Sequence, residues 1–156
     1  MPTLEPPRFE TGKPMLVAGL RGQFTTATWA GIPAQWQRLI AYGKTPEMVG
    51  LAHYGLCFNR PDGIHYLSGV EVSSVTGLPG EFSHCEIPEQ RYAVFDHHGN
   101  VSELYDTMDA IQRTWAPNHE LIRPSDGAPD FFERYGEHFD PRTGMGDIEV
   151  WIPIIK

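Results

Sequence analysis

Apolar positions along this chain switch between a period of two and a period near 3.6, and the switches mark its elements. Residues 14–24, PMLVAGLRGQF, read as a strand. In the stretch that follows, Ile32, Trp36, Leu39 and Ile40 fall at helical spacing. Pro33 suits a first helical turn and Gly43 suits the stop. Two strand-like runs come next, 48–59 and 64–73, joined by Arg60-Pro61-Asp62-Gly63, a hairpin signal. Gly77-Leu78-Pro79-Gly80 punctuates the chain, residues 82–87 extend again, and Pro88 ends them. Residues 91–98 are strand-like. Asn100 can then cap a helix, with Glu103 completing a capping box. Leu104, Met108, Ile111 and Trp115 form one apolar stripe on that helix, and Pro117 ends it. A polar loop, 118–129, leads to strands at 130–136 and 147–155. Residues 1–12 read as an irregular lead-in, because Pro2, Pro6 and Pro7 cannot donate ladder hydrogen bonds.

The order strand, helix, strand, strand therefore occurs twice, in modules of about 13–75 and 82–156 within one domain, 13–156. Paired strands separated by helices predict an α+β fold: an antiparallel sheet with helices on one side. Two modules side by side leave a central cleft, a common place for a small ligand.

A chain of 156 residues can bury a single core, and 40% hydrophobic against 21% charged residues argues for a folded domain. The formal net charge of −8 is the wrong sign for a long nucleic-acid surface. Cys57 and Cys85 match no zinc spacing and make no disulfide framework. His53, His65, His84, His97, His98, His119 and His138 lack ligand-like spacing, and no phosphate-binding loop or nucleophile elbow occurs. No metal and no cofactor is expected. Without an apolar run long enough for a membrane span, or a signal peptide, the expected location is cytoplasmic.

Four runs, taken in order, resemble one family. GIPAQWQRL (31–39) is similar to the first helix of integron-associated effector-binding domains. HYGLCFNRPDGIHYLSGVEV (53–72) resembles the central hairpin of GyrI-like domains. IPEQRYAVFDHHGNVSELYDTMDAIQRTW (87–115) and APDFFERYGEHFDPRTGMGDIEVWIPI (128–154) resemble the start and end of their second half. The resemblance implies a tandem strand-helix-strand-strand fold whose cleft binds small, often cationic and hydrophobic, molecules. Relatives occur fused to AraC- or MerR-type DNA-binding modules, as gyrase modulators, as free ligand binders, and as hydrolases of cyclopropane-bearing toxins. Residues 1–12 are too few for a helix-turn-helix, so direct transcriptional control by this chain is not expected.

Glu133 is the central candidate. Alternation places Phe131, Glu133 and Tyr135 on one face. A carboxylate among aromatic rings has its pKa raised, and an organic cation would relieve its burial. Parity alone leaves a surface Glu paired with Arg134 as the alternative, and the "FExY" likeness turns the reading toward the pocket. Glu149 and Trp151 share the face opposite Ile148, Val150, Ile152 and Ile154, where a groove could lie, and Glu71 sits similarly. Tyr54, Tyr66 and Tyr92 occupy strands, where each could present its ring to a ligand and its hydroxyl to a carboxylate, Tyr54 and Tyr92 being preferred; Trp29 could flank the groove mouth, and Trp36 and Trp115 suit the core or else a pocket edge. The expected partner is a small hydrophobic or cationic molecule. The residues leave three matters open: whether a guest is only bound or is hydrolysed with Glu133 as base and Tyr135 assisting, whether a protein partner is modulated, and whether an exposed edge strand pairs with a second copy.

Overall fold

The computed structural model describes residues 4–25, 27–43, 47–119 and 128–155. Eight strands form one antiparallel sheet: β1 (Arg8–Gly12), β2 (Met15–Phe24), β3 (Met48–Arg60), β4 (Gly63–Val72), β5 (Ser83–Ile87), β6 (Gln90–His97), β7 (Phe131–Tyr135) and β8 (Ile148–Ile154). Their order across the sheet is β1-β6-β8-β7-β3-β4-β2-β5. Helix α1 (Ile32–Ala41) follows β2, and α2 (Leu104–Ala110) follows β6. The class is α+β, and the two strand-helix-strand-strand runs meet where β7 pairs with β3.

The local signals act as the residue types require. Pro33 stands in the first turn of α1, and Gly43 adopts φ +72° just beyond it. The β3–β4 hairpin closes with Arg60 opposite Gly63, so Pro61 and Asp62 make the turn and Gly63, at φ +126°, follows it. The Asn100 side chain accepts from the Ser102 amide, while Glu103 returns to the Asn100 amide at 3.2 Å. The second helix is not uniform: a 3₁₀ turn leads into α2, a π turn spans Ile111–Trp115, and another 3₁₀ turn holds Pro117. His97 is structural. Its ring lies 2.8 Å from the Asn100 carbonyl and 2.7 Å from the Thr107 hydroxyl, which ties β6 to α2.

Residues 8–12 correct the reading of 1–12 as an irregular lead-in. They pair with β6 from Arg8 opposite Val94 to Gly12 opposite Gln90. An edge strand needs only one partner and little apolar alternation, and Phe9 is exposed, so the sequence carries no clear period there. Most of the loop read at 118–129 lies outside the described residues.

Chain connectivity forces the sheet to curl. β5 and β6 stand six places apart in the sheet order, which would be about 29 Å on a flat sheet. Only Pro88 and Glu89 join them, a link spanning at most about 11 Å. The side of the sheet without helices therefore becomes the inside of the curl. It is filled by one core of Val17, Tyr54, Leu56, Phe58, Leu67, Ile87, Tyr92, Val94 and Phe132. The other side carries both helices and a second core that includes Phe95, Ile111, Tyr135, Ile148, Val150 and Ile152.

Helix α1 is fixed by a polar contact as well as by packing. Gln35 is 5% exposed, and its amide nitrogen lies 2.9 Å from the Leu20 carbonyl and 3.0 Å from both the Tyr66 carbonyl and the Ser68 hydroxyl. Replacing Gln35 with Leu strips buried acceptors of their donor. Gln35→Leu should therefore lose about 1–3 kcal/mol of stability in denaturant unfolding; an unchanged midpoint would mean that this amide does not hold the helix.

Candidate functional site

The site grows from parity in two neighbouring strands. On β7, Glu133 and Tyr135 point to the helix side, and Phe132 and Arg134 point into the curl. On β3, Gly55 lies opposite Glu133 in the register. A side chain there would collide with its surroundings: a Cβ would sit 2.0 Å from the Tyr66 hydroxyl and 2.9 Å from Glu133 Oε1. Glycine thus makes room for Tyr66 of β4 to reach across β3 to the carboxylate. The seam between the two halves is where the contact forms.

Glu133 is 9% exposed. Its Oε1 accepts hydrogen bonds from the Tyr66 and Tyr135 hydroxyls, each at 2.7 Å. Trp36 of α1 extends the chain, its Nε1 donating to the Tyr66 oxygen at 3.0 Å. The Trp36 ring meets Tyr135 edge-on at 5.4 Å, Tyr66 at 6.3 Å and His53 at 6.2 Å. Oε2 of Glu133 accepts no hydrogen bond from any described residue.

The electrostatics follow from this enclosure. Burial pushes the Glu133 carboxyl above its ordinary value, and the two phenol donors pull it part of the way back. Burial, reinforced by the carboxylate, pushes Tyr66 and Tyr135 well up, so both keep their protons and act as donors. Burial pushes the Cys57 thiol up, helped by Glu133, and lowers His53 toward its neutral form. A carboxylate is therefore ringed by neutral groups, with no cation against it among the described residues.

The sequence candidates divide between the two sides of the sheet. Glu133 and Tyr135 come together as expected. Trp115 lies on the same side, yet it packs edge-on to Phe95 at 5.1 Å and stacks on His119 at 4.1 Å, so its ring contacts are away from the carboxylate. Tyr54, Tyr92, Glu149 and Trp151 lie on the opposite side of the sheet from Glu133. Tyr54 is 7% and Tyr92 2% exposed, both edge-on to Phe132. Trp151 stacks on Phe132 and donates to Glu149 Oε1 at 3.0 Å. Glu149 also pairs with Arg8 at 2.6 Å and Arg134 at 3.7 Å, within an ion-pair group that adds Asp96 and Glu10. Glu71 stands on that side too, near Tyr54. The Trp29 side chain falls outside the described residues. Sequence reading missed Gly55; it named Tyr66 as able to offer a ring and a hydroxyl, and Trp36 as core or pocket edge, but joined neither to Glu133. Their common signal, a place on the same side of the sheet as Glu133, in β3, in β4 and in the helix packed there, becomes readable only once the register is known.

No described helix is long and apolar enough to cross a membrane, and no group of three or more His, Cys, Asp or Glu among the described residues is placed to hold a metal. The fold is an α+β sheet domain that encloses a carboxylate with aromatic side chains. The chain belongs to the GyrI-like small molecule binding domain family, which matches residues 5–155. It is similar to the transcriptional regulator BrlR of Pseudomonas aeruginosa, 29% identical over 137 residues, or 84% of this chain and 49% of that protein. The chain thus spans about half the length of that regulator. Among solved structures it resembles SAV2435 bound to tetraphenylphosphonium, with TM-score 0.72, 19% identity, and 95% of this chain and 93% of that one covered. It also resembles an integron cassette protein from the mobile metagenome of Vibrio cholerae, with TM-score 0.67, 16% identity and 97% of both chains covered. At such identities the structural likeness establishes a shared fold.

Two outcomes are expected here. Gly55→Ala should displace the Tyr66 hydroxyl, lower stability by about 1–3 kcal/mol in denaturant unfolding and alter the Trp36 fluorescence. The second concerns pH. The folded protein holds the Glu133 proton more tightly than the unfolded chain, whose glutamate titrates near the ordinary 4.5. Glu133 therefore contributes stability below that value and loses it as pH rises through its own raised pKa. Subtracting the pH–stability curve of Glu133→Gln from that of the wild type should leave a difference that falls with rising pH across this window. A rising difference would mean the carboxyl is depressed instead.

Proposed function

We infer that this domain binds small hydrophobic organic cations, with Glu133 as the counter-charge and Trp36, Tyr66 and Tyr135 as the rings around it. The observation that carries the reading is a buried carboxylate held by two tyrosine hydroxyls on one oxygen and facing no cation among the described residues. Burying an ionised group without an opposite charge is unfavourable, and a cationic guest removes that penalty. Aromatic faces add cation–π attraction of about 0.5–2 kcal/mol each when water is excluded. Family membership supports small-molecule binding. The cationic ligand of SAV2435, a protein of the same fold, supports the sign of the charge.

Tetraphenylphosphonium serves as the probe. Titration calorimetry should show wild-type binding that weakens by about tenfold or more in Glu133→Gln, as removal of a desolvated charge partner requires. Wild-type affinity should also rise with pH through the titration of Glu133, because the cation favours the ionised carboxyl. Equal affinity in the two proteins would remove Glu133 from this role.

A further inference from the structure

The inference rests on the cation-binding reading and narrows its ligand class. The two oxygens of Glu133 are not equivalent. Oε1 takes both available hydroxyl protons, from Tyr66 and Tyr135 at 2.7 Å each. A further donor in this hydrogen-bond relay, Trp36 Nε1, is taken by the Tyr66 oxygen. No described residue donates to Oε2; His53, opposite Tyr135 in the register with its ring 6.2 Å from that of Trp36, is held toward its neutral form. The protein has thus oriented the carboxylate by one oxygen and left the acceptor capacity of the other to whatever enters.

We propose that the site selects cations bearing at least one N–H, such as protonated amines, over permanently charged onium ions of the same shape. An onium ion carries its charge inside a shell of carbon, so it can offer Coulomb and cation–π attraction but no proton. It leaves Oε2 without a hydrogen bond in a place from which it has excluded water. An ammonium N–H aimed at Oε2 forms a charge-assisted hydrogen bond, roughly twice as strong as a neutral one. The difference matters because a buried acceptor left unsatisfied is penalised more than a satisfied one is rewarded. Trp36, Tyr66 and Tyr135 serve both guests equally, since ring faces do not distinguish N–H from N–CH₃ at the same charge.

The test uses a matched pair, N,N-dimethyl(biphenylmethyl)ammonium and N,N,N-trimethyl(biphenylmethyl)ammonium, titrated calorimetrically at a pH where the tertiary amine is protonated. The wild type should bind the N–H cation about tenfold more tightly than the onium ion. Glu133→Gln should abolish the preference, because the two tyrosines will hold the amide oxygen and turn its NH₂ toward the guest. A circular dichroism melt confirms that the variant is folded. If the variant does not fold, Tyr135→Phe provides the second arm: freeing one lone pair on Oε1 gives the N–H guest another acceptor, so the preference should persist. Equal wild-type affinities for the pair, or a preference that survives in folded Glu133→Gln, overturn the proposal. In either case binding that still depends on Glu133 leaves the cation-binding reading intact. Failure of both cations and of tetraphenylphosphonium to bind overturns that reading and this proposal together.

Discussion

A carboxylate buried at the seam between β7 and β3 is the constraint around which the rest of this domain is arranged. Burial alone would expel its charge. Two phenol hydroxyls on Oε1 make the charge tolerable, and supplying them dictates much of the neighbourhood. One comes from Tyr135, on the same strand. The other must come from the first half of the chain, across an intervening strand, so position 55 has to lack a side chain. Tyr66 then needs support, which Trp36 supplies from α1, and α1 needs an anchor, which Gln35 supplies at the carbonyls of Leu20 and Tyr66. Four elements are thus placed by the needs of one side chain.

The second constraint is topological. Because two residues connect strands that stand at distant places in the sheet, the sheet must roll, and rolling gives its two sides different tasks. The inner side is closed on itself and takes a continuous apolar filling in which Tyr92, Phe132 and Trp151 pack against one another. Charges on that side include an ion-pair group in which Arg8 and Arg134 meet Asp96 and Glu149, with Arg21 set over the Phe58 ring and Glu71 near Tyr54. The outer side is covered by helices instead of by strands. Helix packing can leave gaps that a rolled sheet cannot, and the irregular winding from Ile111 to Asn118 shows that this cover is not uniform. A polar site is therefore easier to keep beneath the helices than within the roll.

This division explains what the sequence could and could not disclose. Strand and helix positions were legible because period, caps and turn residues are local: Pro33, Gly43, Asn100 with Glu103, and the Pro61–Gly63 turn each act within a few residues of themselves. Glu133 and Tyr135 were legible for the same reason, since a spacing of two within one strand fixes a shared side. Glu149 and Trp151 were rightly assigned to the side away from the helices, but that side is the inside of the roll, a fact set by the link between β5 and β6 and by no local pattern. Tyr54 and Tyr92 stand on that inner side for the same cause, away from Glu133. Tyr66 and Gly55 lie 67 and 78 positions from Glu133, and only the register joins them to it. β1 escaped because an exposed edge strand, paired on one side, imposes little apolar alternation on its residues.

Stability and binding pull on Glu133 in opposite directions, and the asymmetry of its two oxygens is how the fold accommodates both. A carboxylate with every lone pair satisfied by the protein would sit comfortably and have nothing left to offer a guest. One with no partners would take up a proton and lose its charge, because burial already pushes its pKa upward. Two donors on a single oxygen give an intermediate state: the hydroxyls fix the plane of the carboxylate and pull its pKa part of the way back, while the second oxygen keeps its unmet capacity. The surrounding groups preserve that state by staying neutral. Tyr66 and Tyr135 hold their protons, Cys57 remains a thiol, and His53 is biased toward its uncharged form. A lysine or arginine in any of those places would complete the ion pair internally and close the site. On the cation-binding reading, the stability given up by leaving Glu133 without a cation among the described residues is the source of the attraction exerted on one.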